Sequence, residues 1–149
     1  MAAQQAALQI DAPVAAPGPG VAKRPKKRGV RNKELGKRGE DAAVRFLYKR
    51  GYEIVERNWS CAVGEADIIA RDGRAIVFVE VKTRSSLERG FPSEAVDQDK
   101  RSRYERIALA YLAQCDDTDV PVRFDVVAIV AIAPDRALIR HHINAFSGA

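Results

Sequence analysis

The sequence predicts an α/β fold in which a mixed sheet is flanked by helices, and three observations lead there. Two β-rich runs flank Asp72-Gly73, a strong hairpin signal because both residues tolerate positive φ. Helical apolar spacing occupies the stretch from Asn32 to Arg50 and again the stretch from Asp97 or Asp99 to Gln114. A long apolar run from Val122 to Ala131 reads as an interior strand. In chain order the elements are α-β-β-β-α-β-β, which gives a mixed sheet with helices packed on it.

The first helix is expected to start at Asn32, a plausible N-cap, and to end before Gly51, a plausible residue just past the C-terminus. Val44 and Leu47 mark its buried stripe, with Ala43 and Phe46 at the edges. Glu40 lies four residues before Val44 and three before Ala43, so it turns inward with them. An inward acid is the informative exception on such a helix. Its bland reading is a boundary acid paired with Lys37 or Arg38.

Tyr52 to Asn58 reads as the first strand and Trp59 to Val63 as a turn or loop. The hairpin follows. Thr83 to Pro92 is polar, holds Gly90 and Pro92, and reads as a loop. On the second helix Ile107, Ala108, Tyr111 and Leu112 form the apolar side, while Lys100, Arg101, Arg103 and Arg106 make the opening turns basic. After the Val122–Ala131 strand, Pro134-Asp135 turns the chain into an edge-like strand from Ala137 to Asn144.

The chain has 149 residues, 46% hydrophobic and 30% charged, enough for one globular domain with a real core. No apolar run approaches the roughly 20 residues of a membrane span, and the N-terminus lacks the pattern of a secretory signal. Cys61 and Cys115 lie far apart, so reduced thiols and a cytoplasmic location are expected. With only His141 and His142 besides, a structural zinc site or a Cys–His catalytic pair has no ligand set. The two histidines point to opposite sides of a strand, where a structural role is expected.

The net charge of +5 is unevenly placed. Lys23, Arg24, Lys26, Lys27, Arg28, Arg31, Lys33, Lys37 and Arg38 face only Glu34, so this stretch carries +8 and the remainder −3. Residues 1–30 read as a disordered basic tail rich in Ala, Pro, Gln and Gly, and 31–149 as the folded domain. A clustered basic arm attracts polyphosphate without sequence preference; a solubilising tail is the plain alternative.

Candidate chemistry concentrates in the hairpin. With Asp72-Gly73 as its turn, Asp67 faces Phe78 and Glu65 faces Glu80, and Glu65, Asp67, Glu80 and Lys82 share one side of the sheet. Asp67 and Glu80 become diagonal neighbours, roughly 7–8 Å apart at Cβ. Two carboxylates across that gap can hold one hard cation, at about 2.1 Å per oxygen for magnesium. Lys82 brings its ammonium to the same place. A surface Glu-x-Lys pair would be worth under about 1 kcal/mol. Against that reading, Glu80 follows Ile76-Val77-Phe78-Val79, a run suited to a strand covered on both faces, where an acid is costly without a partner.

Gly64-Glu65-x-Asp67 followed by Val79-Glu80-Val81-Lys82-Thr83-Arg84 resembles the PD-(D/E)xK nuclease superfamily. From Gly36-Lys37-Arg38-Gly39-Glu40 through Asn144-Ala145-Phe146, the chain more closely resembles the uncharacterised bacterial YraN family, similar in fold to archaeal Holliday junction resolvases. The resemblance covers about Lys33 to Phe146. It implies a restriction-endonuclease-like αβββαβ core with a Mg²⁺ or Mn²⁺ site. Asp67, Glu80 and the Val81 carbonyl would be metal ligands, with Glu40 and Glu65 as further candidates. Glu40, Asp67, Glu80 and Lys82 would be the catalytic set, Lys82 orienting the attacking water. Ser60 and Arg101 stand where the family usually carries arginine and glutamine. The implied activity is metal-dependent hydrolysis of DNA, branched or structured DNA included. Its alternative is a non-catalytic DNA-binding or adaptor protein that keeps the fold. The basic residues expected to meet DNA are Lys23, Arg24, Lys26, Lys27, Arg28, Arg31, Lys37, Arg38, Arg84, Lys100 and Arg103. A homodimer is compatible with the resemblance, and no membrane partner is expected.

Overall fold

A computed structural model of the chain describes residues 4–9, 28–85, 98–116 and 118–145. The elements are β1 (Gln4–Gln9), α1 (Arg28–Lys49), β2 (Glu53–Cys61), β3 (Gly64–Asp72), β4 (Ala75–Arg84), α2 (Gln98–Leu112), β5 (Val122–Ala133) and β6 (Arg136–His142). Among the described residues they build one six-stranded sheet in the order β1-β6-β5-β4-β3-β2. Only β4 and β5 run parallel, joined through α2; the other neighbours are antiparallel. The fold is therefore α/β with a mixed sheet flanked by helices, consistent with an αβββαβ core.

The two helices cover opposite faces. Ala42, Ala43, Phe46 and Leu47 of α1 bury against Ile68, Ala70, Val77, Val79, Val127 and Ile129. Tyr104, Ile107, Ala108 and Tyr111 of α2 bury against Ile69, Ile76, Phe78 and Val126. Alternation along β4 thus sends Val77 and Val79 toward α1, and Ile76 and Phe78 toward α2. Both faces of β4 are covered, as its unbroken apolar run requires.

Gly51 ends α1 as expected, at φ 90°. Its N–H donates to the Tyr48 carbonyl at 3.0 Å and the Tyr52 N–H to the Leu47 carbonyl at 3.0 Å, the paired bonds of a Schellman motif. Leu47 and Tyr52 then pack in the same core cluster and fix the exit of the chain. The helix begins four residues earlier than Asn32. No proline lies between Pro25 and Lys49, and extending an existing helix adds one hydrogen bond per residue, which outweighs a cap at Asn32.

Three sequence expectations are corrected by the sheet. The β3–β4 register pairs Asp72 with Ala75, so the two turn residues are Gly73 and Arg74, not Asp72 and Gly73. Gly73 alone takes positive φ, 60°, which suits a turn needing a left-handed residue only at its first central position. This shift of two residues preserves which side chains share a face and changes which ones are opposite. Second, β2 continues through Trp59 to Cys61, because the Trp59 ring packs edge-on against Tyr111 at 5.3 Å between centroids and keeps the strand paired with β3. Third, Gln4–Gln9, read from composition as disordered, forms β1 along β6, so β6 is not the sheet edge. The edge of β6 offers a row of backbone donors and acceptors, which a short proline-free segment satisfies through its main chain. The rest of the tail, with Lys23, Arg24, Lys26 and Lys27, lies outside the described residues.

Candidate functional site

The β3–β4 ladder stops at Ile68 and Val79. Continued past that point, the register would set Asp67 opposite Glu80. Instead the strands part, and the Asp67 carboxylate accepts the Val81 N–H at 2.9 Å, standing in for the missing ladder bond. The N–H and C=O of a strand residue leave by the same edge, so the Val81 carbonyl opens toward Asp67 as well.

Helix α1 brings Glu40 to this opening. Gly39 lies against Thr83 so closely that a Cβ there would come within 3.0 Å of Thr83 Cγ2 and collide with its hydroxyl. The absent side chain lets α1 settle onto the end of β4. Leu35, Gly36, Glu40, Val81 and Thr83 line an open cleft of about 320 Å³ there. Helix α2 closes the other face. Lys100 Nζ forms an ion pair with Glu80 Oε1, and Tyr104, four residues on along the same helix face, is buried beside the acids.

Charge in this cluster is poorly compensated. Burial pushes the Asp67 carboxyl up to about 6 from 3.8; the Val81 N–H opposes the shift, and Glu40, Glu80 and Glu65 add to it. Glu80 Oε2 is buried with no hydrogen-bond partner among the described residues. Burial, then the charges of Glu80 and Asp67, push the Tyr104 phenol up, so it stays protonated.

These features fit a hard divalent cation held by carboxylate oxygens. It would give Glu80 Oε2 a partner and favour ionised Asp67. Asp67 and Glu80 would hold it, with Glu40 and the Val81 carbonyl as neighbours. Among the described residues, no group of three or more His, Cys, Asp or Glu side chains stands ready to hold an ion alone. Magnesium tolerates that arrangement, since it commonly keeps several waters and takes one or two carboxylates plus a substrate phosphate.

The electrostatics give a testable sign. The folded Asp67 carboxyl keeps its proton between pH values near 3.8 and about 6, where the unfolded carboxyl has lost it. Its contribution to metal-free stability therefore falls as pH rises through that window, and the penalty is complete above it. Asp67→Asn retains an oxygen to accept the Val81 N–H. At pH 7.5, without metal, it should melt several degrees above wild type, a gain on the order of 1–3 kcal/mol. The gain should vanish at pH 4. Thermal melts across that range check it; a melting temperature at pH 7.5 equal to wild type would mean that the carboxylate carries no such penalty.

Other sequence candidates fall variously around the opening. Lys82 is half-buried on β4 and, by alternation, shares the Glu80 face. Arg84 is half-buried at the end of β4, and Glu65 is exposed on β3, where it pairs in register with Ser60. Arg103 is exposed on α2, and a Cβ on Gly64 would lie 3.5 Å from its Cδ. Lys37 is exposed on α1, whereas Arg38 donates to the Pro134 carbonyl and ties α1 to the β5–β6 turn. Arg28 and Arg31 lie in the first turn of α1.

The sequence reading missed a second polar cluster, centred on β5, where Asp125 pairs in register with Val79. Asp125 is fully buried and accepts from His141 Nε2 at 2.8 Å, from Arg123 through two nitrogens at 2.9 Å each, and from the Asn144 N–H at 2.9 Å. Arg123 also donates to Asp72 at 2.9 Å and to the Tyr52 hydroxyl at 2.6 Å. The visible signal was Arg123-x-Asp125, same-face partners opening an otherwise apolar strand. His141, ringed edge-on by Phe46 and Tyr52, is fully buried in this framework.

The likeness to known proteins follows the same core. A family model described as an uncharacterised protein family, UPF0102, matches residues 39–129. A UPF0102 protein of Geobacter sulfurreducens is 48% identical over 115 residues, covering 77% of this chain and 90% of its own length. One from Nocardia farcinica is 50% identical over 107 residues, covering 72% and 84%. One from Dictyoglomus thermophilum is 43% identical over 118 residues, covering 78% and 100%.

Proposed function

The chain belongs to the uncharacterised protein family UPF0102, the YraN family, and on that premise we propose that it is a divalent-metal-dependent endonuclease hydrolysing phosphodiester bonds in DNA. Branched or otherwise structured DNA is the substrate class that the resolvase-like resemblance favours. The observation that carries the reading is the under-compensated acid cluster at the parted ends of β3 and β4, with Lys82 on the Glu80 face. An adaptor protein has no use for an Asp67 carboxyl pushed up to about 6 beside a buried Glu80 oxygen that lacks a hydrogen-bond partner among the described residues.

Mg²⁺ or Mn²⁺ bound here supplies Lewis-acid stabilisation of the phosphate charge and lowers the pKa of water. Asp67 and Glu80 would hold it, and the Val81 N–H fixes the orientation of Asp67. Glu40 lines the cleft from α1, where it would orient water. Lys82 places fixed positive charge where negative charge grows on the phosphoryl oxygens. Arg84 and Arg103 flank the opening as phosphate contacts. The basic tail adds a nonspecific, salt-sensitive attraction to DNA.

Metal binding is testable without catalysis. Mn²⁺ at 100 times its dissociation constant should stabilise wild type by about 2.7 kcal/mol through mass action. Asp67→Ala/Glu80→Ala should melt at the same temperature with and without Mn²⁺. An equal upshift in both proteins would place the ion elsewhere and remove the support for this reading.

A further inference from the structure

The ion pair between Lys100 and Glu80 has a feature that a structural salt bridge lacks. Lys100 engages Glu80 through Oε1, and the second oxygen of the same carboxylate is buried with no hydrogen-bond partner among the described residues. The two side chains are 23% and 13% exposed, so the pair is largely withdrawn from water. A flexible lysine stem rising from the first turns of α2 can leave without moving the sheet. Glu80 is also the acid that the proposed metal requires, so Lys100 and a divalent ion compete for one carboxylate. Two cations at that carboxylate repel each other, whereas a phosphodiester arriving beside the ion offers the displaced ammonium a new anionic partner.

We propose that Lys100 is a displaceable counter-ion of Glu80 that couples entry of the divalent ion to binding of the phosphodiester. The proposal rests on the metal-dependent reading above. Before metal binds, Lys100 neutralises part of the acid cluster and restrains an ion from settling there alone. When ion and DNA arrive together, Lys100 transfers from Glu80 to a phosphate oxygen. Coupling of this kind is reciprocal: metal raises DNA affinity by the factor by which DNA raises metal affinity.

The test measures Mn²⁺ binding to the full-length protein by titration calorimetry, without DNA, in wild type, Lys100→Met, Lys100→Arg and Asp67→Asn. Lys100→Met should bind Mn²⁺ roughly three- to tenfold more tightly than wild type, and Lys100→Arg about as wild type does. A second arm reads the affinity for a fluorescently labelled 20-base-pair duplex by anisotropy, with and without Ca²⁺ as a probe of the ion's effect. The gain on adding Ca²⁺ should be larger in wild type than in Lys100→Met. Thermal melts confirm folding, and Lys100→Gln replaces the methionine variant if that one is unfolded. Unchanged or weaker Mn²⁺ binding in the neutral variant, together with its loss in Asp67→Asn, would overturn the counter-ion role and leave the metal site standing. Mn²⁺ binding that is undiminished in Asp67→Asn would overturn both.

Discussion

Lys82→Ala should slow DNA cleavage by about 10²–10³-fold while leaving Mn²⁺ and DNA binding near wild type. Lys82 follows Glu80 by two residues on β4, so it projects from the same face at the end where β3 and β4 part. A charge there acts mainly on the transition state, where the phosphoryl oxygens become more negative, and little on the ground state. Its removal therefore lowers the turnover rate more than it weakens binding. Lys82→Arg preserves the charge but spreads it over a planar, longer group, and should recover only part of the rate. A plain surface role for Lys82 predicts instead a small stability change and unaltered rates. Single-turnover cleavage with each variant saturated in DNA and Mn²⁺ separates these results.

Asp125→Ala should destabilise the protein by about 3–5 kcal/mol and lower its melting temperature by on the order of 10 °C. Burial by itself would raise the Asp125 carboxyl, but hydrogen bonds from His141, Arg123 and the Asn144 N–H outweigh it and hold the group below the usual carboxylate range. Alanine leaves Arg123 with only Asp72 and Tyr52 among these partners, and leaves His141 without the acceptor for its Nε2 proton. The same depression fixes the acid response. A carboxyl lowered on folding contributes stability above its ordinary value near 3.8, and loses it as pH falls through the lower folded value. Wild type and Asp125→Ala should thus converge in stability in strong acid. Denaturant melts between pH 7 and pH 2 check both statements; a change below about 1 kcal/mol at pH 7 would make the network incidental.

Much of the fold was legible because hydrophobic period and turn residues report it directly. The Val122–Ala131 run became the interior strand β5, and Gly51 ended α1 in the left-handed conformation that glycine accepts readily. The catalytic candidates were legible for a more particular reason: side chains alternate along a strand, so a register error of two residues leaves Glu80 and Lys82 on the same face. What escaped depends on long-range contacts. Lys100 reads as one of several basic residues on α2 until the packing of that helix brings it to Glu80. Asp125 lies in a stretch of apolar residues with Arg123 as its one local partner, and nothing local announces that His141 and Asn144 converge on it as well. The strand β1 gains its place through main-chain bonds to β6, which side-chain composition does not encode. Gly39 reads as a weak point in a helix and instead permits the contact with Thr83 that seats Glu40.

The most direct measurement of the central claim is DNA cleavage by wild type and Asp67→Asn, purified side by side and assayed with Mn²⁺. Four-way junction, flap, single-stranded and linear duplex substrates cover the structures that the resolvase resemblance suggests. Asp67→Asn keeps the fold and an acceptor for the Val81 N–H, but loses the charge that holds the ion. Wild type should cut at least one substrate only when Mn²⁺ is present, and Asp67→Asn should cut it at least about 10²-fold more slowly. Equal cleavage by the two preparations, or none by wild type on any of the four while Mn²⁺ binding is intact, would contradict the nuclease assignment.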